Sequence, residues 1–581
     1  MKIFIDLEWF FRAYWKKYAM AVLLFLIIGV ADMMIPLLTG RLIDDVVNQT
    51  MTQNRLLLYG GIILAIAILV YVCRFLWRVI LFSASYKLAE ILRQRIYSHM
   101  TLMAPGFFQN HRTGDLMARA TNDITAVEMT AGEGVLSATD GIITSIFVLS
   151  IMLFAIDWRL TAIALLPFPV MAWYFRKIGT RLHHSFKKAQ EEFSNLNDRV
   201  QESIAGIRMI KSFGREEFED ADFLKIADRA ADANMDVAKT DSLYDPAIFL
   251  TVGTSFFLCV GYGGWLVHLQ ELTLGQLTSF TMYLSYLIWP MFAYGWLMNI
   301  LERGSAAWLR ISEILETRSP VSDQGELTGI DSPSIEFDIQ SYRYSDVSEP
   351  VLRDIRLNIG AGDTIGIVGH TGAGKSTLVN LLIRQYEGPE ARVNISGKPV
   401  EDYRLMDLRN LMSVVPQDPF LFTASIEENI ALGRPDSTLE QVREVARLAS
   451  IDDDIVAFPN GYDTLVGERG VTLSGGQKQR LSIARALLAD APILILDDAL
   501  SAVDVATEKN ILSHLKAARH NKTTLIICHR LTAVEEADQI LVLQHGEQEE
   551  TGTHSALIRA SGWYQRMFEY QKLEQTVESG R

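Results

Sequence analysis

Cysteine is scarce in this 581-residue chain, with only three. Cys73, Cys259 and Cys528 share no metal-ligand spacing, and two of them lie in apolar runs. That excludes a disulfide framework and a zinc site and leaves packed small hydrophobes. Positive charge is also short: 54 Lys and Arg stand against 69 Asp and Glu, a net charge of -15. A general nucleic-acid binder, which needs a basic face, is excluded, and a small-molecule or nucleotide partner fits better. The opening MKIFIDLEWFFRAYWKKYAM lacks a small-residue cleavage site behind a short apolar core, so no removed signal peptide is expected. Its mixture of aromatic and charged residues between Ile3 and Tyr14 predicts a helix lying at a membrane surface.

What is abundant is unevenly spread. Apolar residues make up 49% of the chain, yet the long apolar runs all precede about residue 300, and the rest reads as ordinary soluble protein. Crossing about 30 Å of hydrocarbon takes about 20 residues. Six runs qualify, at about 18–38, 56–77, 134–156, 158–176, 247–268 and 275–298. Asp157, Trp158 and Arg159 form a tight turn between the third and fourth, and VHLQELTL joins the fifth and sixth. The second-to-third connection is long and carries Lys87, Arg93, Arg95, Arg112 and Arg119. The fourth-to-fifth carries Arg176, Lys177, Arg181, Lys187, Lys188, Arg199, Arg208 and Lys211, whereas 269–274 has no Lys or Arg. This asymmetry predicts that both long connections and both termini are cytoplasmic.

Both long connections keep helical periodicity, so the spans are expected to run on into the cytoplasm as helices. Their tips, FFQNHRTGDLMARATND at 107–123 and SIAGIRMIKSFGREEFE at 203–217, would expose Phe107, Phe108, Ile207, Met209, Ile210 and Phe213 unless they dock. Docking onto the soluble half is the expectation. Asp32 lies in the first span, where a carboxylate costs about 2.5–3.5 kcal/mol and needs a partner or a wet cavity. A substrate or gating contact and a hydrogen-bonded packing role are both open. The sixth span gathers Trp289, Met291, Phe292, Tyr294, Trp296 and Met298 around Pro290, a set that suits either ligand contact or a membrane interface.

After Glu316, TRSPVSDQGELTGIDSPS is polar and turn-rich and reads as a linker. The expected division is a membrane domain at 1–316, a linker at 317–332 and a soluble domain at 333–581. Alternating strand and helix patterns in the last predict a parallel sheet flanked by helices. Within it GHTGAGKST, residues 369–377, follows an apolar run and precedes the helical LVNLLIRQY. Strand, glycine loop and helix is the context a phosphate loop requires. Backbone amides of Gly369, His370, Thr371, Gly372, Ala373 and Gly374 would close around the phosphates of ATP, Lys375 would reach the β and γ phosphates, and Ser376, followed by Thr377, would meet Mg²⁺. Further on, ILILDDALSAVD at 493–504 runs a buried strand into Asp497, the carboxylate expected to hold Mg²⁺.

Between these two lies LSGGQ, residues 473–477, followed by KQRLSIARALL. Here the chain resembles the ATP-binding cassette exporters, and the resemblance extends over essentially its whole length. It implies an α-helical membrane domain with six transmembrane helices, of type I exporter form, followed by an α/β P-loop nucleotide-binding domain. It also implies roles: Tyr344 stacking on adenine, Gln417 in VVPQDPFLF reaching Mg²⁺ and the membrane half, His529 in ICHRL sensing the γ-phosphate. GERG at 467–470 would signal to the intracellular helices, and Ser501, Ala502, Val503 and Asp504 would carry contact between subunits. Ser474, Gly475, Gly476 and Gln477 would clamp the γ-phosphate held by the opposite chain, because in this family one nucleotide domain does not close its own site.

GVLSATD, IRMIKSFGREE, LTLGQLTSF and NILERGSAA narrow the likeness to bacterial multidrug-resistance-like half-exporters. The implied activity is ATP-driven export of hydrophobic or amphipathic small molecules from the bacterial inner membrane, with lipid around the spans and no nucleic-acid partner. One departure matters. Asp498 stands where the family usually carries the glutamate that polarises the attacking water, so this chain's own site is expected to be slow, and the expected partner is a second half-exporter that carries the glutamate. A homodimeric lipid flippase and an ATP-gated regulatory or channel-like protein are the competing readings.

Overall fold

A computed structural model describes residues 2–330, 333–344, 349–467 and 473–579. The chain divides into two compact units, Met1–His99 with Gly114–Glu316, and Met100–Thr113 with Thr317–Arg581.

The first unit is helical. Five stretches among the described residues are long and apolar enough to cross a membrane: Trp15–Val47, Gln53–Thr101, Thr113–Ile156, Glu216–His268 and Leu274–Glu316. The 49 residues of Gln53–Thr101 measure about 74 Å at 1.5 Å per residue, more than twice the hydrocarbon thickness. These helices therefore run well past the apolar layer, as the periodicity of the long connections predicts. The fourth of the six apolar runs is built from two helices, Trp158–Leu165 and Pro167–Ala205. Pro167 and Pro169 lack the N–H groups that would continue the ladder, and the Leu166 N–H falls back to the Ile163 carbonyl at 3.3 Å, one residue short of the α pattern. Pro290 has the same effect in the last stretch, where the Leu287 N–H bonds the Leu284 carbonyl at 3.3 Å.

Thr113–Ile156 is wound irregularly. It contains three π-helical segments, Arg119–Asp123, Thr130–Gly134 and Ile151–Ile156. Each widens the helix by one residue and re-aims the side chains that follow. The first of them turns Asp123 into a buried position, where it accepts hydrogen bonds from Arg310 Nε at 2.9 Å and from Arg310 Nη2. Arg119 adds bonds to Asp115, to Glu313 at 2.8 Å and to the Arg310 carbonyl at 2.9 Å. Near the second, the Thr130 hydroxyl meets the Ile300 carbonyl at 3.2 Å, and a Cβ on Gly304 would stand 1.9 Å from that hydroxyl oxygen. Two helices are thus joined by polar contacts that only a glycine-close approach permits.

In the second unit ten strands, among the described residues, form one sheet: β1 (Ile335–Tyr342), β2 (Leu352–Ile359), β3 (Thr364–Gly369), β4 (Ala391–Ile395), β5 (Lys398–Pro399), β6 (Met412–Val415), β7 (Ile493–Asp497), β8 (Thr523–Ile527), β9 (Gln539–Gln544) and β10 (Glu547–Gly552). Their order is β5-β4-β1-β2-β10-β9-β3-β8-β7-β6. From β9 to β6 every neighbour is parallel. These strands are buried on both faces, which explains their continuous apolar runs. Ile493 and Ile495 of β7 enter one core and Leu494 and Leu496 the other. The short strip Met100–Thr113 belongs to this unit. Gly106 lies against Tyr386, whose ring atom would be 3.6 Å from a Cβ there, and Gln109 hydrogen-bonds the same tyrosine. Phe107 is buried. The second tip belongs to the helical unit, and its Ile207, Met209 and Phe213 are exposed.

Arg310→Met leaves the buried Asp123 carboxylate without its main partner and is expected to lower stability by about 2 kcal/mol. Glu313→Gln removes an exposed partner and should cost less than about 0.5 kcal/mol. Thermal midpoints of the purified variants check the difference.

Candidate functional site

Parallel pairing brings three strand ends to one edge of the sheet. Asp497 is level with Ile527 of β8, which in turn is level with Ile367 of β3, two residues before Gly369. The carboxyl ends of β3, β7 and β8 therefore deliver the glycine loop, the two aspartates and His529 to a common place, the position where parallel α/β sheets bind ligands.

The loop is shaped by its glycines. Gly369, Gly372 and Gly374 have φ of 150°, 82° and 94°. A Cβ on Gly369 would lie 2.1 Å from the Leu543 carbonyl oxygen, so strand β9 admits no side chain there. The helix Lys375–Leu382 opens directly from Gly374. Lys375 is buried, and its ammonium folds back over the loop to donate to the Gly369 carbonyl at 2.8 Å and the His370 carbonyl at 3.0 Å. Thr371 and Gly372 lie on the exposed side of the loop, while Ala373 and Thr377 are buried. The Thr377 hydroxyl is 2.9 Å from that of Tyr344, whose half-exposed ring stands edge-on to Tyr386.

Ser376 Oγ donates to Asp497 Oδ1 at 3.1 Å. Burial pushes the Asp497 carboxyl above the usual carboxylate range, opposed by the Ser376 bond, and burial likewise pushes the Lys375 ammonium below the usual lysine range. Both groups are under-solvated, and a ligand carrying negative charge with a divalent cation would relieve both. Two hard oxygens from Ser376 and Asp497 converge, which fits Mg²⁺, a cation that takes one or two protein oxygens alongside phosphate and water. His529 is also shifted down, first by burial and then by the neighbouring Lys375. Gln417 is exposed after β6 and makes no hydrogen bond to Ser376 or Asp497.

Asp498 departs from its neighbours in conformation. Its φ is 48°, in the left-handed region that Asp tolerates better than most side chains, while its N–H still bonds the Ile527 carbonyl at 2.9 Å. A cavity of about 100 Å³ opens beside Asp498, His529 and Glu508.

LSGGQ begins a helix. Ser474 caps Gly475–Leu488, its hydroxyl accepting from the Gln477 N–H while Gln477 Oε1 accepts from the Ser474 N–H at 3.0 Å. Gln477 also donates to Asp454 at 3.2 Å. Gly476 packs against the 501–504 turn, where a Cβ would be 2.8 Å from the Ala502 carbonyl oxygen. The residue that fixes this turn is Gln479, which the sequence reading did not single out. Its Oε1 accepts from the Ala502 N–H at 2.9 Å and its Nε2 donates to Ser501 Oγ at 3.2 Å. Among the described residues, no hydrogen bond joins Ser474, Gly475, Gly476 or Gln477 to the 369–377 loop of the same chain. Glu468, Arg469 and Gly470 of the GERG stretch lie outside the described residues.

The helical unit has its own cavity, of about 800 Å³. Asp32 lines it, paired with Arg74 at 3.1 Å, and Asp140 lines it too, accepting from Trp289 Nε1 at 2.9 Å. Arg74 and Asp140 are charged residues in apolar helices, a signal the sequence carried and the reading passed over.

A phosphate-type loop with a carboxylate at the end of a neighbouring strand, on a chain that also carries a multi-span helical unit, defines a nucleotide-binding membrane protein. Comparison with known proteins makes this specific. Residues 18–291 match the ABC transporter transmembrane region and residues 352–501 match the ABC transporter domain. The chain is 45% identical to the multidrug resistance-like ATP-binding protein MdlA of Escherichia coli K12, covering 100% of this chain and 98% of that one. It is 42% identical to the probable multidrug resistance ABC transporter ATP-binding/permease protein YheI of Bacillus subtilis 168, over 99% and 98% of the two chains. A bacterial Atm1-family ABC exporter solved with ATP bound superposes with a TM-score of 0.79 at 27% identity, over 97% of this chain and 98% of that one. The chain belongs to the ABC transporters, as a half-exporter with one membrane domain and one nucleotide-binding domain. Its family couples ATP hydrolysis to transport across a membrane.

Gln479→Leu removes the partner of the Ala502 amide without touching the loop at 369–377. Hydrogen exchange at Ala502 is expected to accelerate about fivefold, the loss of one net hydrogen bond, with exchange in β3 unchanged.

Proposed function

We propose that this chain is one subunit of a heterodimeric exporter of hydrophobic or amphipathic small molecules, and that its own P-loop site binds ATP but turns it over slowly. Asp498 carries the reading. An aspartate is shorter than glutamate by one methylene, roughly 1.5 Å of reach. Positioning of a general base is worth about 10² to 10⁴ in rate, and about 1 Å of misplacement costs about 10²-fold. The backbone at Asp498 is held by the bond to Ile527, so it does not shift to recover that length.

In this reading Gly369, His370, Thr371, Gly372, Ala373, Gly374 and Lys375 hold the phosphates, Tyr344 meets the adenine, and Thr377 positions Tyr344. Ser376 and Asp497 would hold Mg²⁺, with Gln417 as the third group that the family resemblance implies. His529 offers its imidazole to the γ-phosphate. Ser474, Gly475, Gly476 and Gln477 cap a helix whose N-terminal amides suit an anion, and with no bond to their own loop they serve the site of a partner. An intact signature beside a degenerate base is what a subunit needs if the partner does the hydrolysis.

The membrane unit supplies the path. A cavity lined by Trp289, Tyr286 and Phe25 as well as by paired charges suits amphipathic molecules, and the names of the relatives, multidrug resistance-like and probable multidrug resistance, support the same class. The basic long connections support a cytoplasmic location for themselves and for both termini, in the bacterial inner membrane.

Purified alone, the chain is expected to bind ATP and to hydrolyse it slowly, and Asp498→Glu should raise turnover by about 10²-fold or more. Brisk hydrolysis by the unaltered chain alone, lost in Asp498→Asn, would sink the proposal.

A further inference from the structure

The C-terminal helix Trp563–Ser579 touches two parts of the nucleotide site that are far apart in sequence. At its first turn Trp563 Nε1 donates to His370 Nε2 at 3.0 Å, with the rings edge-on and 5.3 Å apart. An indole N–H only donates, so the His370 proton is on Nδ1. Two turns later Gln571 uses both ends of its amide. Its Nε2 donates to the His529 carbonyl at 2.8 Å, and its Oε1 accepts from the Leu531 N–H at 2.9 Å. The side chain therefore grips the backbone on either side of Arg530, much as a neighbouring strand would. Arg530 is tied from the other direction, to buried Glu508 at 2.7 Å and to the Val503 carbonyl at 3.1 Å.

The helix is itself fixed at its start. Glu550 in β10 accepts from the N–H groups of Trp563 and Tyr564, and Gly562 leaves room for that carboxylate, which a Cβ would approach to 2.2 Å. Tyr564 is fully buried, its hydroxyl 2.8 Å from His554 Nδ1. Eight residues separate Trp563 from Gln571, a spacing that returns to one helix face and covers about 12 Å.

We propose that this helix is a strut of fixed length that sets the separation between the phosphate loop and His529, with Trp563 and Gln571 as positioning residues for the adenine nucleotide. The inference rests on the nucleotide reading above. The two contacts act on different parts of the ligand. Trp563 steadies the loop that both ATP and ADP would use. Gln571 steadies the backbone that aims the His529 ring, which matters only where a γ-phosphate is present.

The test measures ATP and ADP affinities of the full chain in lipid nanodiscs, by competition against trinitrophenyl-ATP. Trp563→Phe keeps an aromatic ring on the helix and removes the donor; it should weaken ATP and ADP alike by about two- to tenfold, the range of one hydrogen bond. His370→Ala should give the same loss, and the double variant no further loss. Gln571→Leu should leave ADP binding unchanged and lower the ratio of ATP to ADP affinity by about two- to tenfold. Wild-type affinities in Trp563→Phe together with a wild-type ratio in Gln571→Leu, or a reduced thermal midpoint of Gln571→Leu with its ratio intact, would overturn the strut. An unaltered chain that binds no ATP would overturn the nucleotide reading and the strut with it.

Discussion

The hydrogen bond from Ser376 to Asp497 spans 121 residues and is the point on which the nucleotide-binding unit converges. It forms because β8 is inserted between β3 and β7, so that the loop after one strand and the carboxylate ending another meet across the strand that leads to His529. Each of those strands is buried on both faces, and neither carboxylate nor ammonium at their ends is well solvated. The unit folds around a charge arrangement that is satisfied best by an anion and a cation together. That is the physical sense in which the sheet anticipates its ligand.

The helical unit works under a different constraint, the lack of water. Charges within its apolar runs have partners, Asp32 with Arg74 and Asp140 with Trp289, and beyond the runs Asp123 is paired with Arg310. π-helical segments in Thr113–Ile156 turn some of these residues toward their partners, at the cost of regular winding. Close glycine contacts, such as Gly304 against Thr130, let the helices approach. A bundle assembled this way holds together by a few directional contacts as well as by packing.

Much of this was legible in the sequence, for reasons that differ by region. The run ILILDD announces a fully buried strand because a parallel strand has no polar face, and GHTGAGKST announces its loop because only glycine accepts φ of 82° or 94° at those positions without strain. Six apolar runs were visible as runs. The break at Leu166 was not read, although Pro167 and Pro169 held the signal. Arg74 and Asp140 were lost among apolar neighbours because a single charge on a helix acquires meaning only from what faces it. Gln479, Trp563 and Gln571 lay deeper still. Each acts through a side chain that reaches another segment, and no local pattern marks a glutamine or a tryptophan that will do so. Asp498 was legible as a departure, but its left-handed backbone was not.

The proposed division of labour places ATP binding in one subunit's loop and the faster chemistry in the other's, joined by a signature helix that this chain lends. Its most direct test is the composition of the native complex. The tagged chain is solubilised from membranes of its own bacterium, and copurifying subunits are identified and counted by mass spectrometry. The account predicts a second half-exporter at one-to-one stoichiometry, with glutamate directly after its metal-holding aspartate. Recovery of this chain alone, as a dimer of identical subunits, would contradict it.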